Sequence, residues 1–183
     1  MRVISGELKG RVIKGFTLKN TRPTMDRVKE SIFSIIQNKI PNSICLDLFS
    51  GSGSLGIEAI SNGSKQVYFV DNNKFAINTI NDNISNFGIK QNSEILKMDY
   101  NEALNYFKNN NIFFDIIFLD PPYDMHIINN ILEKIEKFNL INDDGIIVCE
   151  VDSNYLLGNL KTLKMYKNKK YGSTFVYFYK FEK

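Results

Sequence analysis

From Ser43 onward the chain alternates short apolar runs with longer amphipathic stretches. The runs at 44–49, 67–71, 94–98, 114–119 and 145–151 read as strands, and the stretches at about 54–62, 73–86, 101–109 and 127–139 read as helices. Strands this apolar, separated by helix-length connections, predict parallel βαβ units in a sheet covered on both faces. Lys161–Lys170 and Ser173–Phe181, joined around Tyr171-Gly172, predict an antiparallel hairpin that brings the sheet to seven strands. Gly63, Gly88 and Gly145 fall near predicted helix ends or the turns beyond them, as C-cap chemistry expects. Before the sheet, Arg2–Lys14 alternates around Gly6, Gly10 and Gly15 and predicts a small basic β-hairpin. Asn20–Thr24 is a connector, and Met25–Asn38 is predicted to be a helix with Val28, Ile32, Ile35 and Ile36 on its apolar face. The expected organisation is a single α/β domain over 1–183, with the basic hairpin at 1–20, a connecting helix at 21–40 and a Rossmann-like core at 41–183.

Composition narrows the chemistry. The 183 residues suffice for one core, and no apolar run reaches the ~18 residues of a membrane span. With no signal-peptide pattern, a cytoplasmic protein that makes no membrane contact is expected. Cys45 and Cys149 lie inside apolar runs and read as reduced core residues. A single histidine, His126, leaves no His/Cys metal cluster, so no metal is expected. A monomer is expected.

The net charge of +3 hides an uneven distribution. Residues 1–29 carry eight Lys/Arg against Glu7 and Asp26, residues 161–183 carry seven Lys against Glu182, and the stretch between has a net charge of −9. Basic ends around an acidic middle suggest a polyanion-binding surface built from the termini. All four arginines, Arg2, Arg11, Arg22 and Arg27, fall in the first 27 residues. Arginine offers a bidentate fork for phosphate or guanine edges that lysine lacks, so this segment is expected to contact nucleic acid.

The first strand runs into Asp47-Leu48-Phe49-Ser50-Gly51-Ser52-Gly53-Ser54-Leu55-Gly56, whose glycines satisfy G-x-G-x-x-G. Gly51 and Gly53 permit a tight turn and close approach of backbone to a ligand. The next strand ends in Asp71, followed by Asn72, at the spacing of a ribose-binding acid, and the third ends in Asp99. Nicotinamide enzymes and S-adenosylmethionine methyltransferases share this arrangement. Asp47 and Phe49 before the glycines, and the lack of a second domain to position a hydride acceptor, favour methyl transfer.

Asp120-Pro121-Pro122-Tyr123 closes the fourth central strand. Two prolines cannot donate to a sheet, so the strand ends there in a stiff loop at its carboxyl end. A carboxylate, prolyl carbonyls and an aromatic ring can grip a planar base that carries an exocyclic amine. Taken alone, the four residues fit a tight turn equally well.

The chain resembles the RsmD family, bacterial methyltransferases that modify guanine N2 in 16S ribosomal RNA. The resemblance spans nearly the whole length. It rests on Arg2-Val3-Ile4-Ser5-Gly6 with Lys9-Gly10-Arg11, Thr21-Arg22-Pro23-Thr24 with Asp26-Arg27-Val28, the Asp47–Gly56 loop, Asp120–Tyr123 and Tyr171-Gly172. It implies a class I, S-adenosylmethionine-dependent methyltransferase fold acting on 16S rRNA within the small ribosomal subunit. Asp120, Pro121, Pro122 and Tyr123 would then be catalytic. Asp47, Phe49, Gly51, Gly53, Asp71, Asn72 and Asp99 would hold the cofactor, with Asp71 at the ribose and Asp99 at the adenine amine. Arg2, Lys9, Arg11, Arg22 and Arg27 would engage RNA, and Lys29 stands where relatives often have arginine. DNA adenine-N6 methylation, a non-catalytic RNA-binding assembly factor and, last, a nicotinamide oxidoreductase are the alternatives.

Overall fold

The computed structural model describes residues 1–15, 26–121, 125–151 and 160–182, with backbone only at 125 and 126. The first helix, α1, spans Asp26–Ile36, and a Rossmann-like succession follows it: β1 Ile44–Asp47, α2 Ser54–Ser61, β2 Gln66–Asp71, α3 Lys74–Phe87, β3 Ser93–Lys97, α4 Tyr100–Asn109, β4 Phe114–Leu119, α5 Met125–Lys137 and β5 Ile141–Val151. The chain then forms the hairpin β6 Leu163–Tyr171 and β7 Thr174–Phe181. The sheet order is β3-β2-β1-β4-β5-β7-β6. β1 to β5 are parallel, and β7 pairs antiparallel with both β5 and β6.

Helix ends follow local chemistry. Asn73 caps α3 by accepting from the Phe75 N–H, and Gly88 ends that helix in the left-handed conformation. Asp99 and Glu102 form a reciprocal capping box at the start of α4. One apolar layer packs α1, α2, α3 and the N-terminal segment on one sheet face, and a second packs α4 and α5 on the other. Phe33 of α1 stacks on Phe118 of β4 with ring centroids 5.7 Å apart, which fixes α1 two residues before Asp120. Cys45 and Cys149 are fully buried, and burial pushes the Cys45 thiol up to about 12, so both are inert core thiols.

Three features differ from the sequence expectations or go beyond them. Gly145 lies inside β5 and not at a helix end, because β5 begins at Ile141 and shifts register against β4 between Phe114 and Ile116. The expected N-terminal hairpin is short, with one antiparallel bridge, Arg2 with Val12, and cross-strand bonds from Val3 N–H to Arg11 O at 3.0 Å, Gly10 N–H to Val3 O at 2.8 Å and Ile13 N–H to Met1 O at 3.1 Å. Other backbone groups of the hairpin dock it on α2: Glu7 N–H donates to Ser61 O at 2.8 Å, and Ile4 and Ser5 N–H donate to the Glu58 carboxylate at 2.8–3.0 Å. Gly6 makes this approach possible, since a Cβ there would stand 1.8 Å from Ser61 O and its φ is +76°. Third, Lys29 does not face solvent. It is fully buried, with Nζ 3.1 Å from the Glu58 carboxylate, and donates to Arg2 O at 2.7 Å and to Ser54 Oγ.

Candidate active site

β2 and β4 flank β1, so connections leave it in opposite directions and open a crevice at the carboxyl ends of these strands. Asp47, Asp71 and Asp120 stand at or just beyond those three ends. The glycine loop between β1 and α2 is tightly braced. Gly51 and Gly53 have φ of +55° and +80°. Gly53 opens α2 in the left-handed conformation, and a Cβ there would press on Phe69 at 3.3 Å, so an alanine would be strained in both backbone and packing. Ser50 Oγ donates to Asp47 O at 2.6 Å and accepts from Val70 N–H at 3.0 Å, which ties the loop to β2. Buried Asn83 of α3 donates to Ser52 O and also holds Lys14 through both its backbone groups.

The carboxylates have separate duties. Asp47 is buried beneath the loop, and its Oδ2 accepts the Gly56 N–H at 3.0 Å, across the turn into α2. Burial pushes its pKa up to about 7 against that bond, and the negative charges of Asp120 and Asp71 push the same way. Asp71 accepts from Gly51 N–H at 2.9 Å and Asn73 N–H at 2.8 Å, while burial raises its pKa against those bonds. Asp99 Oδ1 takes both cap bonds of α4, from Asn101 and Glu102. Phe49 and Tyr100 meet at 6.0 Å, between the glycine loop and the start of α4.

The Asp47 shift carries a stability prediction. Unfolded, the carboxyl ionises near its ordinary value of 3.8, whereas folded it keeps its proton to about 7. The stability from Asp47 is therefore fully present below about pH 4, and is lost as pH rises through about 7. Asp47→Asn keeps an acceptor for Gly56 and should remove this decline, worth at most on the order of 4 kcal/mol. Urea unfolding at pH 4.5 and pH 8 tests it, and equal losses in both proteins would show that another group titrates.

Of the other sequence-predicted residues, Arg2 Nη1 donates to Gly10 O at 3.0 Å. Arg11 lies over the Phe87 ring and donates to Asn86 O and Phe87 O, so its fork closes the carboxyl end of α3. Lys9 and Arg27 are exposed, as is Asn72. Asp120 and Pro121 are half-buried at the crevice. Arg22, Pro122 and Tyr123, with the Thr21–Thr24 motif, lie outside the described residues. Among the described residues no cluster suits a metal ion, and no helix is long and apolar enough to cross a membrane.

Fold and crevice together define a class I methyltransferase. The sheet order, the glycine loop after β1 and the acids at the ends of β1, β2 and β4 are its structural elements. The model of the family described as conserved hypothetical protein 95 matches residues 1–180, and the chain belongs to this family, the RsmD family. It is 39% identical over 181 residues to the Bacillus subtilis protein named "Putative rRNA methyltransferase YlbH", covering 98% of both chains. It is 35% identical over 167 residues to ribosomal RNA small subunit methyltransferase D of Buchnera aphidicola, covering 91% of this chain and 86% of that one. The solved structure of yhhF from Escherichia coli superposes with a TM-score of 0.84 at 23% identity, over 100% of this chain and 98% of that one. A structure of SMU.776 with SAH bound shares the fold at a TM-score of 0.65 and 15% identity, over 81% of this chain and 49% of that one.

Proposed function

We propose that the protein transfers the methyl group of S-adenosylmethionine to the exocyclic N2 amine of a guanine in 16S rRNA of the small ribosomal subunit. It would act as a monomer in the cytoplasm without a metal ion. The observation that carries this reading is the position of Asp120 and Pro121 at the end of β4, beside the glycine loop of β1. The name of the Buchnera relative points to small-subunit rRNA as substrate.

The residues present fit a nucleoside cofactor. A Cβ at Gly51 would meet nothing nearer than Phe49 O at 4.0 Å, so that side of the loop is open to a ligand. After its backbone bonds, from Gly51, Asn72 and Asn73, the Asp71 carboxylate keeps acceptor capacity for a ribose hydroxyl, and Asp99 Oδ2 takes neither cap bond. In this reading Asp71 with Asn72 holds the ribose and Asp99 the adenine amine. Phe49 and the Gly51–Gly53 backbone line the rest, over a loop set by Asp47. The bound sulfonium supplies an activated methyl group.

A guanine amine is a poor nucleophile because its lone pair is delocalised into the ring. Asp120 and the Pro121 carbonyl accept its two N–H bonds, turning the lone pair out of conjugation and aiming it. Pro122 stiffens the loop and Tyr123 stacks on the base, an arrangement in which positioning contributes several kcal/mol. Asp120 then takes the proton, directly or through water. The base must be unpaired or extruded to enter. Arg2, Lys9, Arg11, Arg22 and Arg27 engage the surrounding RNA, with Arg11 doing so from its seat on α3.

Mass spectrometry of nucleosides and fragments from treated 16S RNA tests this reading. The expected product is N2-methylguanosine at one position. N6-methyladenosine in duplex DNA, or no methyl incorporation into small subunits, would refute it.

A further inference from the structure

The edge strand β6 carries a feature that no part of the methyl-transfer site uses. Residues 164–170 are all exposed, although β6 pairs with β7 along its length. A regular strand would send alternate residues to one face, placing Lys164 and Lys167 on opposite sides. A bulge between Met165 and Lys167 breaks this alternation. Lys164 pairs with Lys180, Lys167 with Phe178 and Lys169 with Val176, and Phe178 and Val176 belong to the apolar layer beneath α1. All three lysines therefore face the α1 side, and the bulged Tyr166 lies there too, its ring 6.2 Å from that of Phe178. Lys170 pairs with Phe175 on the opposite face.

This row points at the crevice. β6 runs in the same direction as β4, because two antiparallel pairings separate β5 from β6. Across the sheet Leu119 pairs with Cys149, Glu150 with Val176 and Val176 with Lys169. Lys169 is thus level with Asp120, three strand spacings or roughly 14 Å away. Tyr171 and Gly172 turn the chain at that same edge, and the Tyr171 hydroxyl bonds to Ser31 of α1, the helix that also exposes Arg27. Among the described residues none of the three lysines is in an ion pair.

We infer that Lys164, Lys167 and Lys169, with Tyr166, form a second track that grips the phosphate backbone of the RNA flanking the target base. The inference rests on the rRNA reading above. The charge matches a polyanion, and the exposed ring between lysines offers a stacking face for an unpaired base. A protein strand adding to this edge would have to bury the lysines, which edge strands carry to prevent such pairing.

The test is equilibrium binding of 16S RNA in small subunits at several salt concentrations. For the K164Q/K167Q/K169Q protein affinity should fall tenfold or more at 0.1 M salt, and the slope of log K against log salt should flatten by about 2. Lys170→Gln, on the other face, should change neither, and arginine at all three positions should restore the slope. Y166A should weaken binding and leave the slope unchanged. Unchanged affinity and slope in the triple variant, or an equal effect of Lys170→Gln, would overturn the track. Wild-type protein that binds with this pattern but methylates no 16S RNA would refute the methyl-transfer reading and leave the track standing.

Discussion

Asp120→Ala should lower methyl transfer at least about a thousandfold, a loss of roughly 4 kcal/mol in transition-state stabilisation, while S-adenosylmethionine binding changes little. In the proposed reading the carboxylate is the acceptor that orients the amine, whereas the cofactor would be held by groups at the ends of β1, β2 and β3. A second readout separates this from a structural role. Asp120 is one of the charges that push the buried Asp47 carboxyl upward. Without it Asp47 ionises at lower pH, so folded Asp47 resists its anionic form less, and the stability lost on raising pH toward 8 should shrink. An inactive variant that is as stable as wild type at pH 5, and relatively more stable at pH 8, fits an active-site carboxylate. A variant that loses cofactor binding and unfolds earlier at both values would make Asp120–Pro121 a turn that supports the crevice. Asp120→Asn, which removes the charge and keeps an acceptor oxygen, should share the pH effect and retain more turnover than alanine. Calorimetry at both pH values and titration with S-adenosylmethionine report the outcomes.

The elements that could be read in the sequence are those whose cause is local. The five apolar runs predicted as strands became β1 to β5, with β1, β2, β4 and β5 buried inside the sheet and β3 half-buried at its edge beside β2, and the Asn73, Gly88 and Asp99 caps act within a few residues of themselves. β1 stops at Asp47, short of the predicted 49, because Ser50 turns back to bond Asp47 O. Asp47, Asp71 and Asp120 could be found because strand ends in this fold fall at one edge. Their unequal environments could not, since only the folded chain puts Asp47 under the loop and beside Asp120. Asn83 escapes a sequence reading for the same reason: on α3 it reads as one of several asparagines, yet it joins Ser52 and Lys14 from 31 and 69 residues away. Lys29 does not announce its burial by residue type, because charged side chains near a helix start are normally solvated. Its position still held a clue: the buried stripe of α1 is Val28, Lys29, Ile32, Phe33 and Ile36, so Lys29 lies within the apolar face by helical spacing. Glu58 left a similar sign, a lone acid in a helix whose neighbours Ile57 and Ala59 are fully buried.

Breaking the Lys29–Glu58 pair should have the largest effect on stability of any single side-chain change considered for this chain. Both side chains are fully buried, with Nζ and Oε2 3.1 Å apart. Removing one partner leaves a charge in the interior, which costs about 3–5 kcal/mol. For a chain of this length Lys29→Met should therefore lower the Tm by roughly 10 °C. Glu58→Gln leaves Lys29 with only the Arg2 carbonyl and Ser54 hydroxyl for its charge, and should cost a similar amount. The double variant should recover much of the loss, because no charge is then buried alone, and the cycle would give a large coupling energy. Near-additive losses would mean the two groups act separately. The pair also sets where the N-terminal segment lies, since the Glu58 carboxylate receives the Ile4 and Ser5 N–H groups while Lys29 holds the Arg2 carbonyl. Amide exchange at Ile4 and Ser5 should accordingly rise in Glu58→Gln, well before exchange in β4 does. In the proposed reading Arg2 and its neighbours would reach the RNA from a segment anchored by this pair. RNA affinity should fall in the single variants even at temperatures where the sheet stays folded, and cofactor affinity should follow because the same ammonium holds Ser54 at the start of α2.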